Sequence, residues 1–156
     1  MELKVGDILA CKNNSFLSFA IRFLTKSKYS HLAIIVSESE IIEADGIVGF
    51  INRKNINEYK NYADVYICGL NDKQRNDICN YAISKINAKY DYYLLFVLFV
   101  KFVFGIKIKI KDSEDDICSE LVNDAYKSVG IMLSKKRFPI PDDVLSSERL
   151  RMVGSI

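Results

Sequence analysis

The chain is poor in residues that often signal function. It has one histidine, two prolines and no tryptophan in 156 residues. A single His argues against the usual zinc centres. Those draw several His, Cys or carboxylate ligands at set spacings, and the four cysteines, at 11, 68, 79 and 118, form no C-x-x-C pair. No metal and no cofactor is expected. The net charge is only +2, which is not the basic field of a nucleic-acid binder, so no nucleic-acid partner is expected. Long apolar runs are also lacking. The strongest, "LLFVLFVKFVF" from Leu94 to Phe104, is interrupted by Lys101. It is about half of the roughly 20 residues that span a bilayer, so it reads as a buried helix stopped by Gly105, with no transmembrane anchor. The opening "MELKVGDILACK" has no basic segment leading into an apolar one. With the irregular Cys spacing, this leads us to expect free thiols and a cytoplasmic location.

What remains is ordinary globular composition, 49% hydrophobic and 27% charged, and a length that fits one domain over residues 1–156. The pattern alternates between two periods. "KVGDILACK", "HLAIIV", "EIIEADG" and "DVYICGL" read as strands, and "IKIKIKD" as an exposed or edge strand. "SFLSFAIRFLTKSK" has helical spacing. "NDKQRNDICNYAISKINAKY" reads as an amphipathic helix capped at Asn71 or Asp72. "ICSELVNDAYKSVG" reads as a helix that buries Ile117, Leu121, Val122, Ala125 and Val129 and closes at Gly130. Residues 46–62 read as irregular, and "RFPIPDDVLSS" as Pro-punctuated loop. The class is α+β, with antiparallel neighbours early in the chain.

Two side chains stand out chemically. Cys118 falls in the first turn of its helix, where the dipole and free N–H groups favour a thiolate and can hold an oxyanion. The acidic stretch Asp112, Glu114, Asp115 and Asp116 works against that thiolate. One of Asp115 and Asp116 is expected to cap the helix. A cationic imidazole is then needed nearby, and His31 is the sole candidate. His31 opens its strand, where it can face a cleft, and needs a polar partner to fix its tautomer. Glu43 lies near the far end of the next strand. A three-residue loop, Ser37-Glu38-Ser39, pairs His31 with Asp45 and sets Glu43 diagonally on the same face. A two- or four-residue loop sends Glu43 to the other face. Asp45 shares the favourable parity and is the rival orienter.

The ordered set "GDIL", "YSHLAIIV", "IIEADG", "YDYYLLF" and "CSELVNDAYKSVGI" resembles the permuted papain-like hydrolases. The nearest branch is the YaeF/YiiX-like group, related to NlpC-type peptidases and to lecithin:retinol acyltransferase. The resemblance runs from about Val5 to "FPIPDDVL". It implies a circularly permuted papain-like fold, with a small antiparallel sheet or barrel packed against helices and the His preceding the Cys in the chain. It implies a cysteine hydrolase with Cys118 as nucleophile, His31 as base and Glu43 as the third polar residue. It also places a Tyr near the nucleophile, mapped to Tyr90 with Tyr92 as substitute. The expected activity is a thiol amidase or peptidase working through a thioester, on cell-wall-type or amino-acid amides. The alternative is a thiol acyltransferase or phospholipase on lipid esters. Expected partners are therefore small-molecule, peptide or lipid substrates. A binding protein without turnover is disfavoured, because all three positions are filled.

Overall fold

A computed structural model describes residues 2–12, 26–91, 97, 104–105 and 117–156. Six strands, three α-helices and one 3-10 turn are delimited within them. The strands are β1 (Ile8–Cys11), β2 (His31–Ile35), β3 (Glu40–Asp45), β4 (Phe50–Asn55), β5 (Ala63–Cys68) and β6 (Leu150–Ser155). The helices are α1 (Asp72–Ser84), α2 (Cys118–Lys127) and α3 (Pro141–Leu145). The strands form one antiparallel sheet in the order β4-β3-β2-β1-β5-β6.

Alternation sorts each strand onto two faces. Ile8, Ala10, Leu32, Ile34, Ile42 and Ala44 face the helices and pack with Ile78, Leu121, Val122 and Ala125. Leu9, Cys11, Ala33, Ile35, Ile41 and Val65 face the other way and pack beneath Ile56 and Tyr59. Both faces are buried, which explains why β2 reads as a continuous apolar run rather than an alternating one.

The β2–β3 hairpin has the three-residue register. Ile34 pairs with Ile42 and Ile35 with Ile41, and the Val36 N–H donates to the Glu40 carbonyl at 3.0 Å. Helix α1 starts with a reciprocal cap. Asn71 Oδ1 accepts from the Gln74 N–H at 2.9 Å, and Gln74 Oε1 accepts from the Asn71 N–H at 3.1 Å. Ile117, Leu121, Val122 and Ala125 are buried as expected, Val129 lies beyond the end of α2 and is half-buried, and Gly130 follows at φ +80.

Three expectations change, and one strand enters where the sequence pattern marks none. The irregular stretch contains β4 and a single 3-10 turn, Ile56–Tyr59. The Pro-punctuated loop contains α3, with Pro141 at its start, where a missing N–H costs nothing. The last residues form β6, which pairs with β5. The cap position of α2 is Ile117, whose N–H donates to Glu120 Oε2 at 3.2 Å. An isoleucine side chain there offers no acceptor, and the expected cap residues Asp115 and Asp116 lie outside the described residues. The expected strand "IKIKIKD", the helix over 15–24 and most of the Leu94–Phe104 run lie outside the described residues. Val97 is buried, while Phe104 and Gly105 are exposed.

Candidate active site

Helix α2 is tied at both ends. Near its start, the Ser119 hydroxyl donates to the Pro139 carbonyl at 2.5 Å. Near its end, the Tyr126 hydroxyl donates to the Gly6 carbonyl at 2.6 Å. Asn123 Oδ1 accepts from the Ser134 N–H at 2.9 Å. Buried Leu121, Val122 and Ala125 seat the helix on the sheet between these ties. Its first residue, Cys118, is thereby held at the end of the sheet where β2 begins with His31.

His31 lies between two groups. Its Nε2 donates to Glu43 Oε2 at 2.7 Å, and its side chain also hydrogen-bonds Cys118. With Nε2 taken by the carboxylate, Nδ1 is left for the sulfur. Cys118 and Glu43 are buried, whereas the His31 side chain keeps 18% of its surface exposed. The imidazole is therefore the member of the set that meets solvent.

The charges reinforce one another. Burial disfavours the Cys118 thiolate, but the charge and hydrogen bond of His31, with a further bond from the Leu32 main chain, hold the thiol below its ordinary value. Burial also disfavours the imidazolium. The negative charges of Glu43 and Cys118 outweigh it and hold His31 well above its usual value. Glu43 sits in the same balance. Burial opposes its ionisation, while His31, Tyr59 and Lys54 bring it down to about 2. These shifts run in the direction of a thiolate–imidazolium pair backed by a carboxylate.

Glu43 is further held by groups that the sequence pattern did not flag. The Tyr59 hydroxyl lies 2.7 Å from Oε1 and 2.6 Å from Oε2. Lys54 Nζ lies 3.0 Å from Glu43 Oε1 and 2.5 Å from Asp45 Oδ2. Asp45 does not orient the histidine. Its Oδ1 accepts from the Ile47 N–H at 2.7 Å and the Val48 N–H at 3.3 Å, closing the β3–β4 turn, and its Oδ2 pairs with Lys54. Tyr90 is buried against Gly46, where an added Cβ would lie 3.2 Å from the phenol Cζ. Gly46 directly follows β3, so Tyr90 lies towards the sheet end that bears His31. Tyr92 lies outside the described residues.

The other three cysteines have different surroundings. Cys11 is the strand partner of His31. Burial, then the nearby charges of Glu43 and Cys118, push its thiol well up. Burial also raises Cys68 and Cys79. All four are free thiols.

No family model matches the sequence, and no curated protein matches it at a significant level. A solved structure does match. It is the crystal structure of metalloprotein yiiX from Escherichia coli O157:H7, DUF1105, with a TM-score of 0.76 over 100% of this chain and 99% of that one, at 18% identity. The fold is YiiX-like. At that identity the likeness extends to the fold alone. The YiiX-like chain does not offer an evident metal centre among its described residues, where no three His, Cys, Asp or Glu side chains come together as ligands. Its only imidazole is already engaged by Glu43 through Nε2 and is coupled to Cys118. Among the described residues no helix is long and apolar enough to cross a membrane.

Proposed function

We propose that this YiiX-like chain is a cysteine hydrolase of the permuted papain-like kind, an amidase or peptidase acting through a thioester. The observation that carries the reading is the placement of His31 between the Cys118 thiol and the buried Glu43 carboxylate. A packing cysteine needs no imidazole, and a structural histidine needs no thiol at a helix start.

In this reading the Cys118 thiolate attacks the substrate carbonyl carbon. The oxyanion that forms takes a hydrogen bond from the Cys118 N–H, one of the first-turn groups that a helix leaves without an internal carbonyl. The C–N bond breaks as the His31 imidazolium protonates the departing amine. Neutral His31 then takes a proton from water, whose oxygen attacks the thioester carbon. The thiolate leaves, the acid product departs, and His31 is again an imidazolium. Glu43 holds the ring in the tautomer that presents Nδ1 to sulfur.

The test is alkylation by iodoacetamide near neutral pH, followed by peptide mapping and an amide and ester substrate screen. Cys118 should be labelled first, with Cys11, Cys68 and Cys79 slower because burial raises their thiols. Labelling of Cys68 or Cys79 ahead of Cys118 would remove the basis of the proposal.

A further inference from the structure

Tyr59 reaches Glu43 from a short turn packed on the second face of the sheet. β4 ends at Asn55, whose Oδ1 accepts from the Asn57 N–H at 2.9 Å and starts the 3-10 turn. The Ile56 N–H donates to the Ser39 carbonyl at 2.9 Å, tying the turn to the β2–β3 loop. Three residues per turn bring Ile56 and Tyr59 to one side, and both are buried. The Tyr59 hydroxyl spans both carboxylate oxygens. Burial, then the Glu43 charge, push its own ionisation far above the usual tyrosine value, so it stays a donor at every working pH.

That arrangement constrains rotation. A free carboxylate on a long side chain can swing its oxygens away from His31. Here a swing breaks the hydroxyl bridge of Tyr59 on one flank and the Lys54 contact on the other. We propose that Tyr59 is a positioning residue, one that acts on the Cys118–His31 pair by fixing the Glu43 carboxylate on His31 Nε2. The inference rests on the hydrolase reading for its purpose, while its physical content is the coupling of Tyr59 to His31.

The only histidine in the chain makes the test direct, since every imidazole ring signal in an NMR titration belongs to His31. Glu43 from β3 and Cys118 from α2 act on it directly, and Asp45 from β3, Cys11 from β1, Lys54 from β4 and Tyr59 from the 3-10 turn are the titratable groups clustered around that pair. Tyr59→Phe keeps the ring and removes the donor. The His31 midpoint should fall towards the ordinary value of about 6.5, and Cys118 alkylation at neutral pH should slow by about tenfold, the scale of one hydrogen bond to a charged group. Adding Glu43→Gln to Tyr59→Phe should slow alkylation little beyond Glu43→Gln alone, because both act through one carboxylate. Asn55→Ala, which loosens the turn without touching the carboxylate, should move the midpoint the same way by less. It serves if Tyr59→Phe fails to fold. A folded variant with an unmoved or raised midpoint overturns the inference. So does full additivity with Glu43→Gln. Repeating the titration in a Cys118→Ala background separates the two claims. Failed labelling of wild-type Cys118 overturns the hydrolase reading, while an unmoved midpoint in that background overturns the role of Tyr59.

Discussion

Glu43→Gln probes the buried network at its centre. The carboxylate is 1% exposed and accepts from His31, Tyr59 and Lys54 at 2.6–3.0 Å. A carboxamide of the same shape offers one oxygen and one NH2 group. Whichever way it turns, a donor meets a donor. Holding a carboxylate at about 2 rather than 4.5 corresponds to about 3 kcal/mol of interaction with its charged form. Removing one partner of a buried pair costs about 3–5 kcal/mol, and the remaining oxygen recovers about 1. The expected loss at pH 7 is about 2–4 kcal/mol, or roughly 5–15 °C in Tm for a chain of this length. The sign with pH follows from the two shifts. The folded Glu43 value lies below the unfolded one, so its contribution is present above about 4.5 and fades as pH falls towards about 2. The folded His31 value lies above the unfolded one, so its share is full below about 6.5 and is lost as pH rises through the folded value. The gap between wild type and variant should therefore be widest in mildly acidic to neutral solution and narrow on either side. Urea unfolding followed by circular dichroism from pH 3 to 9 measures it. A gap below about 0.5 kcal/mol at pH 6–7, or one that widens on acidification, would refute the reasoning.

Two further outcomes follow from the same geometry. His31→Ala should stay folded, because the ring is partly exposed at a strand start. Mass spectrometry should show its Cys118 alkylated at least about tenfold more slowly near neutral pH, since no second imidazole can hold the thiolate. Asp64 is a separate buried carboxylate. It takes Lys12 at 2.6 Å, Lys28 at 3.1 Å, the Tyr29 hydroxyl at 2.6 Å and the Ser155 hydroxyl at 2.7 Å. Burial resists its charge and these partners hold it well below the usual carboxylate range. Thermal melts of Asp64→Asn should show a loss of about 1–3 kcal/mol that shrinks on acidification, because the lysines can turn to solvent while the hydroxyls keep an oxygen.

The site was partly legible because its pieces obey local rules. Strand parity and a three-residue loop put Glu43 on the His31 face, and a helix-start pattern marked Cys118. The choice between Glu43 and Asp45 needed three dimensions, because both share the parity and only the turn contacts of Asp45 separate them. Tyr59 and Lys54 were hidden for a related reason. In "FINRKN" only Phe50 and Ile51 are apolar, and they are adjacent, so the alternation that marks a strand is missing. β4 lies at the sheet edge, where charged side chains can reach past the end. Asn55, two residues before the N–H it caps, was the available sign of the 3-10 turn. β6 also lies at an edge and has no fully buried residue, so its three apolar side chains, Leu150, Met152 and Val153, do not keep a clean alternation.

The hairpin that pairs His31 with Glu43 spans a separation of 12 residues, while the sulfur arrives on a helix from the far half of the chain. Neither part alone makes a reactive thiol. Until α2 is seated, Cys118 is an ordinary cysteine with a value near 8.5, mostly protonated in neutral solution. Under the proposed function, fast alkylation would therefore gauge nativeness. It would report docking of one helix on one hairpin, and a chain caught part-folded would carry no sharpened nucleophile.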